Sequence, residues 1–303
     1  MSSLQIGVDG GASRSRAILV NEREKLLAEA EGAGLNPLAL GWDAFAKNFK
    51  KLLAALLRKT SPREIQGLCA GLAGVGDKRV RSRVHKEIQQ LLPNADIRVI
   101  TDAEAALWGA FRGGPGLLLI AGTGSICLGM NAQGKTARSG GFGRLLGDEG
   151  GGYWMGIEAI KQALKQADRG VQSSAMITAI CREYGLKEIR EMVPLVYSSE
   201  MTGEKVARLA PRIFDLTKSN IAARRIIAGA GEHLADLVTN TAWKLRLENP
   251  EVALWGGLWN SRGRELQTFL RISLRGKRFS AELMAPKKPP QWGAVYYLKR
   301  RPS

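Results

Sequence analysis

Two apolar hairpins with glycine, serine and threonine at their tips, about 110 residues apart, constrain this 303-residue chain more than anything else in it. The first runs from the strand Leu4-Gln5-Ile6-Gly7-Val8-Asp9 through the turn Gly10-Gly11-Ala12-Ser13-Arg14-Ser15 into Ala17-Ile18-Leu19-Val20. The second runs from Leu117-Leu118-Leu119-Ile120-Ala121 through Gly122-Thr123-Gly124-Ser125 into Ile126-Cys127-Leu128-Gly129-Met130. Such tips offer bare backbone N–H groups and hydroxyls to an anion. A chain with two of them suggests a nucleotide whose phosphates lie between two domains. A plain tight hairpin, with Asp9 capping its own turn, is the competing reading of each motif taken alone.

The length suits two domains, each with its own core. The glycine-rich break Gly113-Gly114-Pro115-Gly116 marks the expected boundary, giving an N-terminal α/β domain over 1–113 and a C-terminal one over 114–303. The first domain reads as strands at 4–9, 16–20 and 25–30, a helix at 42–58, a strand at 65–72, a helix at about 78–92 ending at Pro93, a strand at 97–101 and a helix at 103–111. The second reads as the hairpin, a glycine-dense loop over 139–152, an almost wholly helical stretch at 153–247, a strand at 251–256, a helix near 259–271, a short strand near 277–283 and a last helix at about 292–300. That last helix is expected to pack back on the first domain. An initial meander followed by alternating strands and helices is a mixed α/β pattern.

Several residues stand where chemistry collects. Asp9 ends a buried strand, where a carboxylate is costly unless paired or bound to a cation; hydrated Mg²⁺ suits it, because Mg²⁺ keeps waters and needs few carboxylates. Asp102 follows the strand 97–101 and precedes a helix, so it caps that helix, acts as a general base, or does both. Asp148-Glu149 lies in a loop with seven glycines between 140 and 152. The pair either accepts sugar hydroxyls or charges the N-terminus of the next helix. Asn36 sits on a Gly/Pro loop, where its amide both donates and accepts or simply shapes a turn. Gly256-Gly257 after a strand marks a close approach, for a base and ribose or for helix packing. Neither a Walker A pattern nor a helix-opening G-x-G-x-x-G occurs, and the two histidines, His85 and His233, have no metal-ligand company.

The net charge of +17 raises nucleic acid as a partner, but no stretch of the sequence interleaves basic and aromatic residues, and the expectation is against it. Short basic clusters stand at 79–83, 287–288 and 299–301. The three cysteines, Cys69, Cys127 and Cys181, are far apart in apolar runs and read as free thiols of a cytoplasmic protein. No leader or membrane-spanning run is expected; apolar helix faces within 153–247 would permit a homodimer.

Taken in order, Asp9 to Ser15, Asn36, Thr101-Asp102-Ala103, Ala121 to Ser125, Gly140-Gly141-Phe142-Gly143, Gly147-Asp148-Glu149-Gly150 with Tyr153-Trp154, and Gly256-Gly257 resemble the N-acetylglucosamine kinase branch of the BadF/BadG/BcrA/BcrD ATPases, in the actin/hsp70/hexokinase superfamily. The resemblance spans essentially the whole chain. It implies a two-domain, ribonuclease H-like actin-type ATPase fold with an interdomain ATP cleft and a helix-rich second domain. It also implies that both turns bind ATP phosphates through Gly10, Gly11, Ser13, Gly122, Thr123 and Gly124, with Gly256 and Gly257 beside the adenosine and Asp9 placing Mg²⁺. Asp102 would deprotonate the sugar 6-hydroxyl, and Asn36, Ser125, Gly140, Gly141, Phe142 and Asp148 would hold the sugar. Ser13 stands where threonine is usual, which keeps the hydroxyl. Phe142 stands where tryptophan is frequent, which removes an indole N–H. The implied activity is phosphorylation of an amino sugar, with N-acetylglucosamine first and glucosamine or a broader hexose range as alternatives. The superfamily also holds ATPases that activate dehydratases through an iron–sulfur cluster; no cysteine leads into the second turn here, where Cys127 follows it. The rival of another class, motivated by the +17 charge, is a nucleotide switch or nucleic-acid-associated protein that uses the ATP cleft only for conformational change.

Overall fold

The computed structural model describes residues 3–259 and 263–300. It divides into two compact units, residues 1–115 with 286–303, and residues 116–285. The break falls between Pro115 and Gly116, and the chain re-enters the first unit at Pro286.

In unit 1, β1 (Leu4–Gly10), β2 (Arg14–Val20) and β3 (Leu26–Ala33) form an antiparallel meander. The helices α1 (Pro37–Leu40) and α2 (Trp42–Leu56) lead to β4 (Ile65–Leu72), which pairs parallel to β1. Then α3 (Lys78–Leu91) leads to β5 (Asp96–Thr101), parallel to β4, and α4 (Asp102–Ala110) follows at once. The sheet order is β3-β2-β1-β4-β5.

The period-2 alternation of the strands divides the core in two. Ile6, Val8, Leu19, Leu68 and Ala70 pack with Phe45, Phe49 and Leu52 of α2 and with Val84 and Ile88 of α3. Cys69 and Ile100 belong to the opposite face, with Ala105 of α4 and two residues near the end of the chain, Ala294 and Leu298. With both faces buried, the central strands read as nearly continuous apolar runs. The edge strand β3 is exposed at alternate residues and carries Glu29 and Glu31, which discourages pairing with another chain.

Unit 2 repeats the plan. Here β6 (Gly116–Ala121), β7 (Ser125–Met130) and β8 (Thr136–Gly140) form the meander. The helices α5 (Gly152–Asp168), α6 (Ala175–Tyr184), α7 (Met192–Tyr197), α8 (Gly203–Ala207), α9 (Leu209–Leu216) and α10 (Ile221–Leu245) follow. The strand β9 (Glu251–Trp255) returns parallel to β6; after α11 (Gly263–Gly276), β10 (Glu282–Met284) pairs parallel to β9. The order β10-β9-β6-β7-β8 is that of unit 1 with each strand in the corresponding place. A core of Leu117, Leu119 and Cys127 against Met155, Ala159, Ile227, Leu234 and Val238 joins α5 and α10 to the sheet.

The last helix, α12 (Pro290–Leu298), lies on α4, β1 and β4 of unit 1. The approach is so close that a Cβ on Gly293 would strike the backbone of Ala105 and Gly109, and one on Gly7 would strike the carbonyl of Gln291.

Three expectations need correction. Residues 139–140, read as the start of the glycine-dense loop, instead end β8: Arg138 and Ser139 pair with Leu128 and Cys127, a ladder that a glycine-dense stretch hides. The helix expected near 259–271 begins its described part at Gly263 and extends to Gly276; residues 260–262 lie outside the described residues. The strand expected near 277–283 is only Glu282–Met284, because the chain first closes the end of α11 through Arg278 and Phe279. Residue 301, of the basic cluster at 299–301, also lies outside the described residues. Cys69 and Cys127 are buried free thiols, and Cys181 is half-buried and free. No helix among the described residues is long and apolar enough to cross a membrane.

Candidate active site

In unit 1 the site is built at the carboxyl ends of β1, β4 and β5. The Gly11 N–H donates to Arg14 O at 3.0 Å, closing the turn, while Leu35 N donates to Gly11 O at 2.9 Å and Ala73 N to Gly10 O at 2.8 Å. The turn is thereby fixed to the loops after β3 and β4. The glycines divide by role. The space where Gly10 would carry a Cβ is filled by Leu72 at 2.5 Å and Leu35 at 2.8 Å, so this residue is small to admit the core. At Gly11 the nearest atom to that position is Arg14 O, at 3.4 Å. Ser13 is exposed at the tip.

Asp9 precedes this turn. Burial and then the neighbouring Asp102 carboxylate push its pKa up to about 6, against the opposing pull of Arg16 and Arg14. The Asp102 pKa is also raised, first by burial. Capping is not the role of Asp102. Thr101 is the N-cap, its hydroxyl accepting from Glu104 N at 3.1 Å while the Glu104 carboxylate accepts from Thr101 N at 2.7 Å. Asp102 is therefore the first residue of α4, fixed by that box, with Oδ1 accepting from Ala103 N at 2.9 Å. Asn36 does cap a helix: its Oδ1 accepts from Leu38 N at 3.0 Å and Ala39 N at 3.2 Å, with Pro37 at the first position of α1. Its amide sits in the space left by Gly74, whose φ is +81°.

In unit 2 the second turn closes by Gly122 N donating to Gly124 O at 2.9 Å. The first turn of α5 lies against it, with Gly152 N on Gly122 O at 2.8 Å and Tyr153 N on Thr123 O at 2.9 Å. The positive end of the α5 dipole therefore adjoins this turn. Nothing lies within 4 Å of a Cβ position on Gly122, and Thr123 is exposed. The Asp148 carboxyl occupies the space left by Gly124. Asp148 has a left-handed φ of 62°, accepts from Gly143 N at 3.3 Å and from the Ser125 backbone, and has its pKa raised chiefly by burial. Ser125 is buried and donates its hydroxyl to Glu149 O at 2.6 Å, so that hydrogen ties the loop to β7. Gly140 and Gly141 both have positive φ, and Gly141 N donates to Ser125 O at 3.0 Å. Phe142 is exposed, with the Arg138 guanidinium 5.6 Å from its ring centre. Gly256 has φ +110° and its missing Cβ makes room for the backbone of Ala121; Gly257 is open.

Within each unit the expected residues thus converge. One neighbour escaped the sequence reading. Arg144 holds its guanidinium 5.7 Å from the centre of the Tyr153 ring, the residue whose N–H binds the second turn. Arg144 and the Thr123 methyl both lie within 4 Å of the place a Cβ would take on Gly203. An isolated arginine between glycines carries no motif; only the placement of Tyr153 at the start of α5 reveals it.

The fit to a nucleotide and Mg²⁺ follows from the donor set. Among the described residues no group of three or more His, Cys, Asp or Glu could cage a metal. A cation at Asp9 would have its shell completed by water and phosphate, the mode Mg²⁺ favours.

Two units with one strand order, each with its first hairpin bearing a glycine turn, define the duplicated ribonuclease H-like fold of sugar kinases and actin-type ATPases. The chain belongs to the BadF/BadG/BcrA/BcrD ATPase family, whose model matches residues 6–295. It is 30% identical over 299 residues to an N-acetylmuramic acid/N-acetylglucosamine kinase of Clostridium acetobutylicum, covering 96% of each chain. It is 26% identical, again over 96% of each chain, to an N-acetyl-D-glucosamine kinase of Dictyostelium discoideum. A solved structure from Chromobacterium violaceum, provisionally named an N-acetylglucosamine kinase, aligns with a TM-score of 0.74 at 25% identity over 98% of this chain and 99% of that one.

Proposed function

We propose that this protein transfers the γ-phosphoryl group of ATP to the 6-hydroxyl of N-acetylglucosamine. The broader class is that of an ATP-dependent amino-sugar kinase, a phosphotransferase with an alcohol acceptor. The observation that carries the reading is Asp102: a carboxylate held at the start of α4 by someone else's cap, beside Asp9 and a glycine turn. A residue freed from capping and lifted in pKa by burial suits a general base.

In this reading Asp102 accepts the proton of the 6-hydroxyl as that oxygen bonds to the γ-phosphorus and the bond to the β-phosphate oxygen breaks. The products are the sugar 6-phosphate and ADP. Gly11 and Ser13, with Gly122, Thr123 and Gly124, are assigned to the phosphates, and Gly10 and Gly256 to the packing that lets those turns form. Gly257 is assigned to the adenosine side. Asp9 would hold Mg²⁺, which when bound neutralises phosphate charge. Arg144 is assigned a second cation's role on the phosphates. Asn36, Gly140, Gly141, Phe142 and Asp148 are assigned to the sugar, with Ser125 supporting their loop from behind. Catalysis of this kind is positioning and charge stabilisation.

The test is ADP release across N-acetylglucosamine, N-acetylmuramic acid, glucosamine and glucose. N-acetylglucosamine is expected to give the highest kcat/KM. Equal rates on all four would replace this reading with a broad hexokinase. ATP hydrolysis indifferent to every sugar would replace it with a nucleotide switch.

A further inference from the structure

The kinase reading gives a role to one protein cation, Arg144, and leaves most of the +17 net charge unused. Part of it gathers at one end of unit 2. The glycine turns follow the last residues of β6 and β9; at the other end of the sheet Gly116 pairs with Met130, Met130 with Thr136, and Leu117 with Val252. Two adjoining hollows, which share Phe279, include Lys135 of the β7–β8 turn and the C-terminal ends of α10 and α11. The smaller, about 400 Å³, is lined by Arg271, Arg275 and Arg278. The larger, about 1060 Å³, is lined by Lys135, Lys244, Arg246 and Lys277 around Trp243. Glu248 is the one acid lining either hollow.

Three locally unfavourable choices coincide here. Arg271 and Arg275 are four residues apart on α11, where like charges repel. Arg246 and Arg278 both sit at φ 54°, positions where glycine is the unstrained residue. Trp243 is 81% exposed. Cations near helix C-termini are favourable, and that accounts for some of the charge. It does not account for an exposed indole or for the spacing of Arg271. Lys277 pairs with Asp236, and Lys244 binds Arg138 O and Ser139 Oγ; among the described residues Arg246, Arg271, Arg275 and Arg278 pair with no carboxylate. Departures from local preference that return nothing inside the fold are where function is expected.

We propose that this end of unit 2 is a docking surface for single-stranded nucleic acid, with the arginines along the phosphates and a base stacked on Trp243. The fold assembles the alternation of cation and aromatic ring that the linear sequence lacks. Charge complementarity selects a polyanion and excludes a second copy of the same face; the exposed indole selects one that carries flat rings. The surface stands independently of the kinase reading.

The test uses the full chain and a fluorescein-labelled thymidine oligonucleotide of about 20 nucleotides, followed by anisotropy at about 50 mM salt. Binding in the micromolar range is expected, weakening steeply with salt. The combined variant R271Q/R275Q/R278Q is expected to bind about tenfold or more weakly and with a shallower salt slope. Trp243→Ala is expected to lose about tenfold on the oligonucleotide and nothing on inorganic polyphosphate. Sugar-dependent ADP release stays at the wild-type rate in every variant. The proposal is overturned if the oligonucleotide does not bind or if Trp243→Ala binds it as tightly as wild type. It is overturned equally if Trp243→Ala weakens binding to polyphosphate or phosphatidylserine vesicles as much as binding to the oligonucleotide.

Discussion

The two units share a five-stranded sheet and differ at its working end. Register aligns Gly10 of β1, opposite Ser15, with Ala121 of β6, opposite Ser125. Asp9 of unit 1 therefore corresponds to Ile120 of unit 2, and the acid of the first site has no counterpart in the second. Unit 1 carries the acids assigned to the cation and the proton, Asp9 on the strand and Asp102 at the start of the helix after β5, while the acid of unit 2, Asp148, stands in the loop behind its turn. Unit 2 answers with amides, a hydroxyl, a helix N-terminus and one arginine. The same backbone thus differs at a single strand-end residue, acid in the unit proposed to handle a cation and a proton, apolar in the other.

The largest expected effect tests the acidic half. Asp102→Asn should lower sugar-dependent turnover by about 10² or more while fluorescent nucleotide still binds, because one general base is removed and nothing else. Turnover near the wild-type value would take Asp102 out of the chemistry and leave unit 1 no different in kind from unit 2.

Next comes the burden of a buried charge. The raised pKa of Asp9 means that its ionisation costs the folded state stability as pH rises from 3.8 to about 6, and that the cost is constant above. Asp9→Asn should therefore be more stable than wild type at pH 7 without Mg²⁺, by up to about 3 kcal/mol, with the gain fading toward pH 4. Urea denaturation at the two pH values reads this out. A gain that persisted unchanged at pH 4 would show that charge is not its source.

In unit 2, Arg144→Ala should lower kcat/KM for ATP by about tenfold, with partial recovery in Arg144→Lys, the scale of one charge-assisted contact. An increase confined to the KM of the sugar would move Arg144 to the acceptor side. The smallest effects compare the hydroxyls of the two turns. Ser13→Ala and Thr123→Ala should each raise the KM for ATP by only a few-fold, the worth of one neutral hydrogen bond. A much larger loss in one of them would show that the turns do not share the load.

Much of this architecture was legible because its signals are local. The hairpin tips, the apolar spacing of Phe45, Phe49, Leu52 and Leu56, and Pro93 after α3 each act within a few residues. What escaped depends on partners far away in sequence. The strand β8 is a strand only because Leu128 and Cys127 offer it a ladder. The filling of the space beside Gly10 by Leu35 and Leu72, and of that beside Gly124 by Asp148, has no local signal. That Asp102 is not the N-cap of α4 follows only from the box that Thr101 closes with Glu104. The pairing of whole sheets was announced in the sequence only by the two hairpins; the parallel strands keep their register without repeating any motif.

The return of α12 to unit 1 bears on how the chain is made. A ribosome releases β1, β4 and α4 long before Pro286, so the face that receives Gly293 stays uncovered while all of unit 2 is being synthesised. Unit 2 can finish folding as soon as Ala285 has emerged. The segment translated first is thus completed last, and during that interval Cys69 and Ile100, later sealed under Ala294 and Leu298, are the surface a nascent chain most needs shielded.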